Sequence, residues 1–153
     1  MSKRAAFHQR IEDARRIHIA PVVIAYHLIG QPPVVDLTRL LFTSIRSGRV
    51  RAQTSALSIY QLLTEPYREG EDALAERAFR YLGGHPGLEI VPVTAAVSRQ
   101  AAEVQARLGG TPERSIQVAT ALLGGAKAYV ADKTALRRIA GMEIISLDEY
   151  AAQ

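Results

Sequence analysis

Short apolar runs alternate along this chain with stretches whose apolar residues recur every three or four positions. A brief apolar run marks a strand, and the longer period marks a helix with one buried face. The first run, Ile17–Ala20, is β-type, and Pro21 suits the first turn of a helix that ends near Gly30. Val34 to Ser47 places Leu37, Leu40, Leu41 and Ile45 on one helical face before Gly48. Val50–Gln53 reads as the next strand, after which Thr54 or Ser55 caps a helix carrying Leu57, Tyr60 and Leu63. A helix over Glu71 to Leu82 leads to Gly83-Gly84, and Leu88–Val91 reads as a strand. Thr94 caps a helix with Val97, Ala101, Val104 and Leu108 on one side. Thr111-Pro112 opens another, with Ile116, Ala119, Thr120 and Leu123. The pairs Gly83-Gly84, Gly109-Gly110 and Gly124-Gly125 each close a helix, since glycine turns left-handed without steric cost. Lys127–Ala131 is a strand, Lys133–Ile139 a short helix, Glu143–Ile145 a last strand and Asp148–Ala151 a turn.

Strands that alternate with helices predict an α/β protein: a three-layer α/β/α stack around a central, mainly parallel sheet. Ligands of such sheets lie beyond the carboxyl ends of the strands. Those ends are Ala20-Pro21, Thr54-Ser55, Thr94 and Ala131-Asp132. A chain of 153 residues, 48% of them hydrophobic, is about one domain with one main core. The absence of cysteine excludes a disulfide framework and thiolate chemistry. The most apolar stretch, Ile17 to Ile29, is interrupted by His18, Pro21 and His27 and is too short to span a bilayer. The charged opening MSKRAAFHQRIEDARR has no signal-peptide core, so the expected location is cytoplasmic, with no membrane partner. No Gly-x-Ser-x-Gly turn is present, and the glycine pairs follow helices rather than forming a phosphate loop ahead of one.

Four segments, in this order, resemble the PIN-domain family, including the VapC-like toxin ribonucleases of bacterial toxin–antitoxin pairs. They are IHIAPVVIAYHLIG at 17–30, TSALSIYQLLTEP at 54–66, TPERSIQVATALLGGAKAYVADKTALRRI at 111–139 and EIISLDEY at 143–150. The resemblance covers residues 17 to 150 and implies a PIN-like domain over 17–153, preceded by a basic extension over 1–16. The extension is expected to be helical, with Ala5, Phe7, Ile11 and Ala14 on one side.

The resemblance also implies a site: three or four acidic side chains at the strand ends holding Mg²⁺ or Mn²⁺, because hard cations want anionic oxygens. The bound ion would activate water and offset charge on the phosphodiester being cut. Transferred position by position, most of these acids are missing. The first aligns with Ala20, the second with Gln61 and the third with Arg114, and only Asp132 remains. At about 4 Å and an effective dielectric of about 20, exchanging an anion for a cation beside a metal turns a gain of roughly 4 kcal/mol per unit charge into a similar loss. Arg114 cannot escape by losing its proton. The expectation is therefore a catalytically inactive relative with no cofactor, in which Arg114 pairs with Asp132. The alternative is a Mg- or Mn-dependent ribonuclease that uses a rearranged set, Asp132, Glu65 and Glu113. Glu65 lies one helical turn beyond Gln61, and Glu113 stands in a first turn, where acids are favoured on dipole grounds alone. His18 and His27 read as structural residues rather than ligands.

Charge adds a second candidate. Nineteen bases oppose fifteen acids, for a net charge of +4, and residues 1–16 hold five bases against two acids. Sixteen of the bases are arginine, whose forked guanidinium suits phosphate. Arg15, Arg16, Arg46, Arg49 and Arg51 are the candidate nucleic-acid contacts, and Arg137 with Arg138 forms a further cluster. The expected partners are RNA, an antitoxin-like protein and a second copy of the chain.

Overall fold

A computed structural model of the chain describes residues 1–132 and 138–151. The expected helix over 133–139 and the Arg137 of the last basic cluster fall wholly or mostly outside these residues. Twelve residues, Lys3–Ala14, form α1, capped by Ser2 and ending at Arg15 with φ of 62°. Then come β1 (Arg16–Ile19), α2 (Pro21–Ile29), α3 (Val35–Arg46), β2 (Arg51–Ser55), α4 (Leu57–Arg68) and α5 (Asp72–Gly84). The second half holds β3 (Leu88–Val91), α6 (Ala95–Leu108), α7 (Pro112–Leu123), β4 (Ala128–Ala131) and β5 (Glu143–Ser146).

The five strands form one sheet in the order β3-β2-β1-β4-β5, and every pairing is parallel. Strand order reverses between β1 and β4, which makes their carboxyl ends the place where such a sheet opens a crevice. Residue alternation divides the strands between two faces. Ile17, Ile19, Ala128 and Val130 enter one core with Phe7 and Ile11 of α1, Ile24 of α2 and Leu41 and Ile45 of α3. Ala20, Tyr129 and Ala131 enter the other, with Val104 of α6 and Val118 and Ala121 of α7. The three-layer arrangement is as expected. The amino-terminal extension is no loose leader: Phe7 and Ile11 are fully buried in the main core.

Local expectations hold where the capping chemistry is strong. Thr94 and Thr111 each accept a backbone N–H at 3.2 Å. Others need correction. Thr54 caps nothing, because its hydroxyl donates to the Ile19 carbonyl at 2.7 Å, while Ser55 accepts from Leu57 N and Ala56 is the cap residue. Gly83 and Gly84 are the last two residues of α5, which ends there as expected, but neither takes a positive φ, unlike Gly109, Gly110 and Gly125. Tyr60, Leu108 and Leu123, expected on buried faces, are exposed. No helix among the described residues is long and apolar enough to cross a membrane.

Candidate functional site

The crevice between β1 and β4 brings the aligned family positions to the carboxyl pole of the sheet. Ala20 ends β1 as the N-cap of α2 and presents only a methyl group, which is buried. Asp132 follows β4, and its carboxylate accepts from the Tyr26 hydroxyl of α2 at 3.0 Å. Burial and that carboxylate both push the Tyr26 phenol above its ordinary pKa. The Asp132 carbonyl is held by the Ser146 hydroxyl at the end of β5. Gln61 on α4 is half-buried and accepts from Gln117 at 3.0 Å.

Arg114 does not meet Asp132, and no ion pair joins them among the described residues. The reason is directional. Helical side chains lean toward the helix amino terminus, and Arg114 lies in the first turn of α7, so its guanidinium folds back over Gly110. A Cβ on Gly110 would stand 3.1 Å from Nη1.

Behind these positions lies a buried polar chain. His18 of β1 and Gln53 of β2 are register partners on the α7 face of the sheet. Gln53 Nε2 donates to His18 Nδ1 at 3.1 Å and to the Thr120 carbonyl at 2.9 Å. Gln117 Nε2 donates to Ser58 Oγ at 2.9 Å and to Gln61, which leaves its carbonyl oxygen facing His18 Nε2 at 2.8 Å. The proton of His18 therefore belongs on Nε2. Ser58 continues the chain to Thr54 at 2.7 Å, and Thr54 ends it on the Ile19 carbonyl. Complete burial drives the His18 pKa down to about 4, outweighing the hydrogen bond to Gln117, so the ring is neutral at pH 7. It also stacks on Tyr129 with ring centroids 5.1 Å apart. Every donor in the chain has an acceptor, and no member carries charge.

This donor set does not fit the Mg²⁺ or Mn²⁺ that PIN domains use. A hard cation needs several anionic oxygens, and this pole supplies Asp132, with Asp148 within electrostatic reach of the same Tyr26 hydroxyl, beside carboxamides, an imidazole and hydroxyls. Among the described residues no three His, Asp or Glu side chains are close enough to share an ion. Of the rearranged set, Glu65 is paired with Arg68, and Glu113 sits in the first turn of α7. The structure does not gather them with Asp132.

Most of the basic candidates meet at the opposite, amino pole. Arg15, Arg16, Arg49 and Arg51 surround an open cavity of about 570 Å³, with Glu12 and Gly48. Arg16 and Arg51 also border a second cavity of about 520 Å³, reaching Gln53 and Gly124. Arg46 lines neither cavity and instead lies within electrostatic reach of Tyr81 and His85. Arg138 lines a separate cavity with Arg10 and Lys127.

Neither Gln53 nor Gln117 stood out in the sequence, nor did the partnership of Tyr26 with Asp132. A usable signal existed. Gln53 and Gln117 are amides at positions where a strand run and a helical stripe call for apolar side chains, and His18 is register partner to the first.

No protein-family model matches this chain, and no curated protein matches it. Solved structures do. The crystal structure of VapBC2 from Rickettsia felis, bound to a DNA fragment from its promoter, has a TM-score of 0.65 at 13% identity, covering 86% of this chain and 98% of that one. A toxin–antitoxin complex from Klebsiella pneumoniae has a TM-score of 0.62 at 10% identity, covering 86% of this chain and 97% of that one. At such identities the likeness establishes the fold, which is PIN-like and of the VapC type.

Proposed function

We propose that this chain is a PIN-fold protein that binds rather than cuts, its partners being RNA and an antitoxin-like protein. One observation carries the reading: the neutral chain Gln53–His18–Gln117–Ser58 backs the pole where the family gathers carboxylates, with Gln61 as one of its acceptors. Hydrolysis of a phosphodiester at that pole needs a bound cation or a general base. His18 is buried without access to solvent, and Asp132 is engaged by Tyr26. Support for a protein partner comes from the fold neighbours, which are toxin–antitoxin assemblies. Tyr60 and Tyr67, two turns apart on α4 and both exposed, add apolar surface of the kind partner proteins cover.

The test is incubation of the purified chain with mixed RNA across a Mg²⁺ and Mn²⁺ titration. The expected result is intact RNA at every metal concentration. Metal-dependent cleavage that disappears in Asp132→Ala would establish the ribonuclease alternative and overturn the reading.

A further inference from the structure

We propose that the amino pole of the sheet holds the phosphodiester backbone of single-stranded RNA on a row of cations formed by Lys127, Arg16 and Arg51, widened by Arg15 and Arg49. The proposal deepens the binding reading above by placing the RNA at the end of the sheet opposite the family's catalytic pole.

The row follows from the sheet. Arg16 and Arg51 are register partners on parallel strands, so their side chains leave the same face. Lys127 N donates to the Arg16 carbonyl and Arg51 N to the Arg15 carbonyl, each at 2.8 Å, which sets three strand starts side by side. Neighbouring strands are about 4.8 Å apart, so the row is roughly 10 Å across. Like charges held opposite one another across a sheet are unfavourable. Direct pairing relieves little of this: among the described residues Arg15 and Arg51 make no side-chain hydrogen bond or ion pair, and Arg49 reaches only Glu12, at 3.9 Å. Arg16 alone has a structural task, donating to the Gly124 carbonyl at 3.3 Å.

Four helices, α1, α3, α5 and α7, end at this pole, and their negative ends, each worth about half a charge, offset part of the repulsion. Five cations against Glu12, Glu89 and those four half-charges leave about one positive charge, Glu143 in the cavity that Lys127 lines being paired with Arg10. Arg15 adds a further sign. It holds φ of 62°, a region that favours glycine, so a charged side chain is carried where the backbone would be easier without one. The positive φ itself stops α1, with the Arg15 N–H on the Ile11 carbonyl at 3.2 Å, but glycine would do this as well, so the arginine side chain points to use.

The ligand follows from the same geometry. A polynucleotide offers one anionic group per residue, which matches an unbroken row of cations, and guanidinium forks suit phosphate oxygens. The two cavities that share Arg16 and Arg51 contain no aromatic side chain on which a base could stack. Recognition is therefore of the backbone and independent of sequence.

The experiment is fluorescence anisotropy of the intact chain with a short labelled oligouridine, repeated from about 50 to 200 mM salt. The double variant Arg15→Gly/Arg51→Ala removes two exposed cations, one of them by a change that relieves the backbone, so folding is retained and is checked by circular dichroism. Its plot of log K against log salt should flatten by about 1.4, which is about 25-fold weaker binding near 0.1 M salt. Arg39→Ala/Arg80→Ala, an equal loss of charge elsewhere, should keep most of the wild-type slope. Oligothymidine should bind like oligouridine. Unchanged affinity in the double variant, an equal loss in the charge-matched control, or no binding by the wild type at low salt each overturns the site. Tighter binding of polyglutamate than of oligouridine overturns the choice of ligand in favour of an acidic protein segment. Metal-dependent RNA cleavage alongside intact salt-sensitive binding would overturn the loss of catalysis and leave this site standing.

Discussion

The two poles of the α7 face of the sheet are made from the same three strands and differ in how their polar groups are satisfied. Along β1 the residues on this face run Arg16, His18, Ala20, and along β2 they run Arg51, Gln53, Ser55. The middle is buried and neutral, with each donor of Gln53, His18, Gln117, Ser58 and Thr54 matched to an acceptor. The amino pole is exposed and charged, and Arg15 and Arg51 have no side-chain partner among the described residues. A satisfied buried network contributes stability and specifies packing. Unpaired surface cations contribute little to stability and are free to meet a ligand. On the reading proposed above, the carboxyl pole serves as scaffold and the binding chemistry lies at the amino pole.

The sharpest way to break this comparison is to cut the network. Gln117→Leu leaves the His18 N–H, Gln61 and Ser58 without their partner, and one orphaned buried polar group costs about 1–3 kcal/mol. Urea denaturation should show a loss of roughly 3–5 kcal/mol, whereas Arg51→Ala should stay within about 0.5 kcal/mol of wild type. Equal effects at the two sites would remove the distinction.

Acid should act on the same region next. His18 is neutral in the fold, with its pKa lowered from 6.5 to about 4 by burial. Above pH 6.5 neither state binds the proton, so stability is unaffected. Below it the unfolded chain takes up a proton that the folded chain refuses, and stability drains away until about pH 4. The shift corresponds to about 3 kcal/mol at 1.36 kcal/mol per unit. His27, half-buried, and His85, buried, lie beside Phe42 and Tyr81; both are also lowered, first by desolvation, and act in the same direction. Denaturation curves at pH 7 and pH 4.5 should separate for the wild type and separate less for His18→Gln.

The smallest expected effect lies at the amino pole and has the opposite sign. Arg15→Gly relieves a left-handed φ and should stabilise the fold by about 0.5–1 kcal/mol, read as a small rise in Tm. A fall in stability would mean that the arginine side chain has a packing role.

Much of the fold was legible because its elements are marked by local chemistry. Thr94, Thr111 and Pro112 start helices by satisfying or lacking the orphan N–H, and the alternation of Ile17, His18 and Ile19 sorts β1 between two cores. The glycine pair at 83–84 marked the end of α5 correctly but not its mechanism, since both glycines stay helical and the chain leaves through His85 in an extended conformation. That Ala20, Gln61 and Arg114 carry no acid could be read from the sequence once the resemblance marked those positions. The polar chain behind them could not, since Gln53, His18 and Gln117 come together only through strand pairing and the docking of α7. The resemblance also implied Arg114 beside Asp132, yet the lean of helical side chains toward the amino terminus sends it over Gly110 instead. The arginines at 15, 16, 49 and 51 could be read as a cluster, but their position at the pole opposite Asp132 required the sheet order.

The most direct test of the central claim is Mn²⁺ binding to the intact chain, followed by the loss of the free-ion electron paramagnetic resonance signal. A pole without clustered carboxylates predicts no saturable site at millimolar metal, and the same free signal in wild type and Asp132→Asn. A stoichiometric Mn²⁺ site in the wild type that Asp132→Asn abolishes would contradict it.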